Sequence, residues 1–115
     1  SDQFQVICGN DTQVSRSLLA GGKALVSGTA NVQPKVFLTI LEAAQAGDQE
    51  TVLQCQQQIN RYVDLVVHSN LNANLKASLW LMGIDAGSMR PPNRNLDDDE
   101  MKALQEGMKA INLLP

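Results

Sequence analysis

The sequence predicts an α/β fold in which two short parallel strands, joined by a helix, are followed only by helices. Three observations lead there. Phe4-Gln5-Val6-Ile7-Cys8 and Ala24-Leu25-Val26-Ser27 are short apolar runs, and between them Val14, Leu18 and Leu19 recur at helical spacing. Nearly continuous apolar strands separated by a helix read as a parallel pair, because parallel strands are covered on both faces. From Pro34 onward the apolar residues advance by three or four, as on amphipathic helices.

Each element has its own punctuation. The first strand stops at the turn formers Gly9-Asn10-Asp11, and Asp11 or Thr12 can cap the helix that follows. Gly21-Gly22 end that helix, and the second strand runs into Gly28-Thr29-Ala30-Asn31. Pro34 suits the first turn of a helix carrying Val36, Phe37, Ile40, Leu41 and Ala44, which Gly47 stops. Asp48 caps a longer helix whose stripe is Val52, Cys55, Ile59, Tyr62, Val63, Val66 and Val67, with Gln54, Gln56, Gln57, Asn60, Arg61 and Asp64 mostly facing away. A shorter helix covers about 74–82, residues 83–95 read as a loop, and a last helix opens with the capping-box pair Asp97 and Glu100 before Met101, Leu104, Met108 and Ile111.

Composition narrows the function classes. Nine Lys+Arg against twelve Asp+Glu leave a net charge of -3, so a basic footprint for a nucleic-acid backbone is missing. No apolar run approaches the roughly 20 residues of a membrane span, and Ser1-Asp2-Gln3-Phe4 lacks the pattern of a secretory signal. The expected location is the cytoplasm, with no nucleic-acid or membrane partner. Cys8 and Cys55 lack CxxC spacing and read as small buried apolar residues. His68 has no second His or Cys nearby, so no metal site is expected.

Two parallel strands alone leave open sheet edges and have little independent stability. The pattern therefore reads as the end of an α/β protein whose earlier strands lie outside this chain. Ligands of parallel α/β folds gather at the C-terminal ends of the strands. That rule singles out Gly9-Asn10-Asp11 and Val26-Ser27-Gly28-Thr29-Ala30-Asn31. A glycine lets a ligand approach backbone amides, and Asp11 is placed equally well to cap a helix or to meet a hydroxyl or amine.

Together these segments resemble a known pattern. Phe4-x-Val6-x-x-Gly9-x-Asp11, Leu19-Ala20-Gly21-Gly22 and Val26-Ser27-Gly28-Thr29-Ala30-Asn31-Val32-x-Pro34 are similar to the last two strand-helix units of the dihydrodipicolinate synthase/N-acetylneuraminate lyase family. Ala46-Gly47-Asp48, Leu75-Lys76-Ala77, Leu81-Met82-Gly83, Arg90-Pro91-Pro92 and Asn112-Leu113-Leu114 resemble its C-terminal helical extension. The resemblance implies the C-terminal part of a (β/α)8 TIM barrel, its last two parallel strands lying in residues 1–47, plus a helical extension in 48–115. A complete barrel of this kind takes about 250 residues.

The family implies a class I aldolase-type lyase or synthase that joins pyruvate or another 2-oxo acid to an aldehyde through a Schiff base on its own lysine, with no separate cofactor. That lysine lies on the sixth strand and is expected outside this chain, which alone is expected to be inactive. Lys23 sits at the opposite barrel end from the chemistry, and Lys35, Lys76, Lys102 and Lys109 lie in helical segments. By resemblance Gly9 and Asp11 help hold the aldehyde partner, Val26 lies near the bound pyruvate, and Gly28 completes the substrate-binding set. Thr12 and Gly28 stand where sialic-acid-type lyases carry a glutamate and a serine, which favours a synthase or sugar-acid aldolase branch. The expected partners are the N-terminal barrel portion and further copies of the enzyme. The alternative is a truncated, non-catalytic homologue acting as a small helical, possibly dimerising, structural protein. Tyr62 reads as core with its hydroxyl at the rim, and Trp80 as core or interface packing.

Overall fold

Ile7–Cys8 form strand β1 and Ala24–Leu25 form β2, paired in parallel with Ile7 opposite Ala24 and Cys8 opposite Leu25. The Val26 amide adds one bond, donating to the Cys8 carbonyl at 2.8 Å. The computed structural model describes residues 3–115, and in it both strands are shorter than the apolar runs predict. A strand extends only where partner backbone lies alongside, and among the described residues each strand has only the other.

A 3₁₀ turn over Asp11–Gln13 leads into helix α1 (Val14–Leu19), and a second, Thr29–Asn31, precedes α2 (Pro34–Gln45). Both helices end as the glycines predict. Gly21, at φ 97°, lets the Gly22 amide reach back to the Ser17 carbonyl at 2.8 Å. Gly47, at φ 72°, does the same for Asp48 on the Ala43 carbonyl at 2.9 Å. Asp48 then starts α3 (Gln49–Val66), its carboxylate accepting from the Thr51 amide at 3.1 Å and the Thr51 hydroxyl at 2.6 Å. The Thr51 hydroxyl, with its amide, holds the Asp48 carboxyl below its ordinary range.

The chain divides into two compact units, Ser1–Asn60 and Arg61–Pro115. In the first, Val14, Val32, Val36, Phe37, Ile40, Val52 and Ile59 form the core. Cys55 is buried among the same class of residues, as expected, and burial pushes its thiol up.

The second unit packs α4 (Leu71–Leu81) on α5 (Asp98–Ala110), with Val63, Val66, Leu75, Leu104 and Met108 buried. Helix α4 starts earlier than its apolar spacing suggests because Asn70 caps it, accepting from the Ala73 amide at 3.3 Å. Tyr62 is fully buried, and its hydroxyl, expected at a rim, instead donates to Ser78 Oγ at 2.7 Å. Trp80 is 61% exposed, so it is not core; it borders a cleft shared with Lys76, Asp85 and Met101. Lys76 Nζ donates to the Ala86 and Ser88 carbonyls at 2.8 and 3.2 Å and tethers the loop before α5. The capping box of α5 is present as predicted: Glu100 N donates to Asp97 Oδ1 at 2.8 Å, and Asp97 N to Glu100 Oε2 at 2.9 Å. Arg94 adds a two-pronged contact to the Glu100 carboxylate at 2.7 and 2.8 Å.

Two predictions follow from this packing. Burial pushes the Tyr62 phenol up to about 12 from 10.0, so its contribution to stability is present below pH 10.0 and is lost as pH rises through about 12. Tyr62 is the only tyrosine, so phenolate absorbance reads it alone; ionisation near 10 in the folded protein contradicts the buried hydroxyl. The Arg94 hydrogen bonds hold the Glu100 carboxyl down at about 2 from 4.5. The folded state therefore resists protonation, and the stabilisation is present above pH 4.5 and lost as pH falls through about 2. The gap in unfolding midpoint between the parent and Glu100→Gln is expected to close over that window; a pH-independent gap contradicts it.

Candidate substrate site

Parallel pairing puts the C-terminal ends of β1 and β2 side by side, and with them two loops, residues 9–13 and 26–33. The first is shaped by Asn10. Its Oδ1 accepts from the Thr12 amide at 3.0 Å and the Thr12 hydroxyl at 2.8 Å, while its carbonyl accepts from the Gln13 amide at 3.0 Å. Asn10 thus caps the 3₁₀ turn, and α1 itself, with Gln13 at its N-cap position, has no cap from that side chain, so neither Asp11 nor Thr12 takes the capping role expected of it. An Asx turn closes most readily on the amide two residues on, which from Asn10 is Thr12.

Freed from capping, Asp11 reaches the other loop. Its Oδ2 accepts from the Thr29 hydroxyl at 2.6 Å and the Thr29 amide at 3.3 Å. Oδ1 has no partner among the described residues. Thr29 is 3% exposed, so its side chain sits in the wall between the loops. The second loop also binds itself: Ser27 Oγ accepts from the Ala30 amide at 3.0 Å, and Asn31 Nδ2 donates to the Gly28 carbonyl at 2.9 Å.

A third element braces the first loop from behind. Gln56, on α3, donates through Nε2 to the Asp11 carbonyl at 2.8 Å and accepts through Oε1 from the Ser15 amide at 2.7 Å. It is 7% exposed, which corrects its assignment to the outward face. Ser15 opens α1, whose first amides have no intrahelical acceptor, so a buried side-chain carbonyl is what that helix start requires.

Of the residues singled out from sequence, Gly9, Val26 and Gly28 are exposed around this pair of loops, and Asp11 is half-buried between them. Thr29 was singled out only as part of its segment, with no role of its own, and Gln56 was not singled out for the site. The signal for Thr29 was its place in a strand-end loop; Gln56 carried none, being one glutamine in a glutamine-rich helix. A 610 Å³ groove elsewhere in this unit runs beside α1, lined by Phe4, Arg16 and Lys23 among others. It touches none of the four site residues. Among the described residues no group of three His, Cys, Asp or Glu side chains is placed to hold a metal, and no helix is long and apolar enough to cross a membrane.

Comparison with known proteins places this arrangement. The model of the dihydrodipicolinate synthetase family matches residues 1–111. A DapA-like lyase of Halobacterium salinarum is 34% identical over 97% of this chain and 37% of its own length. A 4-hydroxy-tetrahydrodipicolinate synthase of Methanosphaera stadtmanae is 28% identical over 98% of this chain and 38% of its own. Among solved structures, dihydrodipicolinate synthase from Thermotoga maritima superposes with a TM-score of 0.87 at 25% identity, covering 98% of this chain and 38% of that one. A Sulfolobus solfataricus 2-keto-3-deoxygluconate aldolase variant shares the fold, with a TM-score of 0.88 at 22% identity over 97% of this chain and 39% of its own. This chain therefore spans less than two-fifths of the length of these relatives. The expected resemblance is borne out, and the chain belongs to the dihydrodipicolinate synthetase family.

Proposed function

We propose that this chain is the C-terminal section of a Schiff-base-forming, pyruvate-dependent lyase or synthase, dihydrodipicolinate synthase-like or 2-keto-3-deoxy sugar acid aldolase-like. Its nucleophilic lysine lies outside the 115 residues. Residues 1–47 are the last two strand-helix units of the barrel and 48–115 its helical extension. The observation that carries the reading is the Asp11–Thr29 bridge, which draws both strand-end loops into one polar surface with an unused carboxylate oxygen.

On that surface each residue has a task. Gly9 and Gly28 allow substrate to approach the backbone closely. Val26, 70% exposed, offers an aliphatic wall and a carbonyl to the 2-oxo acid. Asp11 Oδ1 accepts a hydrogen bond from a hydroxyl or amine of the aldehyde partner. The lysine, neutral when it attacks, forms a carbinolamine with the 2-oxo acid, which loses water to give the Schiff base and then a proton from the adjacent carbon to give an enamine; the enamine adds to the aldehyde, or is left when the aldehyde departs. Phe4 is 77%, Val6 59% and Ile7 57% exposed, and a two-stranded parallel sheet with both outer edges unpaired among the described residues calls for more strands. Those strands are the partner proposed for this chain, within an oligomeric cytoplasmic enzyme.

Borohydride reduction in the presence of pyruvate tests this directly. In the full-length encoded polypeptide, peptide mass analysis is expected to find the reduced adduct on a lysine outside these 115 residues. An adduct on Lys23, Lys35, Lys76, Lys102 or Lys109, or none at all, sinks the proposal and, in the second case, favours a non-catalytic homologue.

A further inference from the structure

The helices beyond the strand units can be read as packing alone, yet one buried side chain from them is spent on the site. Gln56 is the only α3 side chain bonded to the loop after β1 among the described residues, and it is bonded twice, to the Asp11 carbonyl and the Ser15 amide. One contact lies on the first residue of the 3₁₀ turn Asp11–Gln13 and the other two residues beyond its end. They fix both ends of the turn that aims the Asp11 carboxylate. A third bond, Gln56 Nε2 to Asn60 Oδ1 at 2.9 Å, holds the amide itself in place.

We propose that Gln56 is a positioning residue for substrate: through the Asp11 backbone it sets the Asp11 carboxylate on Thr29, and so fixes where the carboxylate that meets the aldehyde is held and how the two strand-end loops are spaced. The chain of contacts runs Gln56 to Asp11 carbonyl, Asp11 Oδ2 to Thr29, and Thr29 to the loop that begins at Val26. The contacts that Gln56 and Thr29 make with Asp11 are hydrogen bonds, and both of those side chains are buried. Deleting the glutamine amide leaves the Asp11 carbonyl and Ser15 amide without their partner, and the turn is free to rotate Asp11 away from Thr29. The 2-oxo acid end feels the change only through Val26 at the start of that loop, since the lysine that holds it lies outside this chain of contacts. The inference rests on the proposed function for its substrate arm and on geometry alone for its structural arm.

The test uses the full-length encoded polypeptide with Gln56→Met, which keeps the length and volume, and Thr29→Val, with Thr29→Ser as the conservative rescue. Hydrogen exchange at the Thr29 amide is expected to quicken about three- to tenfold in Gln56→Met, the scale of one lost hydrogen bond. The KM for the aldehyde should rise by a larger factor than pyruvate trapping by borohydride falls, and the unfolding midpoint should drop, because two backbone groups lose their buried partner. Thr29→Val should reproduce the KM effect and Thr29→Ser restore it. Unchanged exchange at Thr29 overturns the positioning role. Quickened exchange with the aldehyde KM unchanged, or with pyruvate trapping lost in step, overturns its link to the aldehyde. If the parent protein traps no pyruvate, the proposed function fails, and the Thr29 exchange still decides the positioning role.

Discussion

The hydrogen bonds from Thr29 to the Asp11 carboxylate fix how the two strand-end loops lie against each other. The parallel ladder cannot do this by itself. It pairs two residues of each strand, and a pair of strands this short is marginal in water. A carboxylate acceptor makes a stronger bond than a neutral one, and with Thr29 buried the bond is shielded from competing water on one side. The ladder thus gives the loops their direction, and Asp11 gives them their separation.

That arrangement depends on how the chain leaves α2. Gly47 ends the helix in the left-handed region, and Asp48 closes α2 with its amide while opening α3 with its carboxylate. One residue serving both ends leaves little slack in the corner. Gln56 then follows about 12 Å along the α3 axis from Asp48, at a rise of about 1.5 Å per residue, and arrives over the turn that holds Asp11. The placement of the loop after β1 therefore traces back to a glycine and an aspartate in a helix-helix corner, well away from it in sequence.

The helices were legible in the sequence because their signals are local: Pro34, Gly21, Gly47, Asp48 and the Asp97–Glu100 box each act within one turn. Parallel pairing was legible too, from two apolar runs around a helix. Strand length was not, because Phe4, Val6 and Val26 are as β-prone as the paired strand residues and only the presence of neighbouring backbone decides. Gln56 was misread for a related reason. Helical periodicity assigns a polar residue to the outside, and it is overruled where an unsatisfied helix-start amide and a turn carbonyl need a buried partner. Tyr62 follows the same logic, since Ser78, far along the chain, supplies the acceptor that lets its hydroxyl stay inside.

On the proposed reading, the loops also bear on which aldehyde fits. The polar side chains available there are mostly committed: Thr12 to Asn10, Ser27 to the Ala30 amide, Asn31 to the Gly28 carbonyl, and Thr29 to Asp11. At the two positions where sialic-acid-type lyases carry a glutamate and a serine, this chain has Thr12, whose hydroxyl is turned onto Asn10, and Gly28, which has no side chain. What remains for substrate is chiefly one carboxylate oxygen of Asp11 and the backbone around the two glycines. Such a surface can grip one or two donors of a short chain. The side-chain hydrogen-bonding capacity of these two loops is turned mostly inward, so what they present outward rests on where Asp11 is held more than on how many groups they carry.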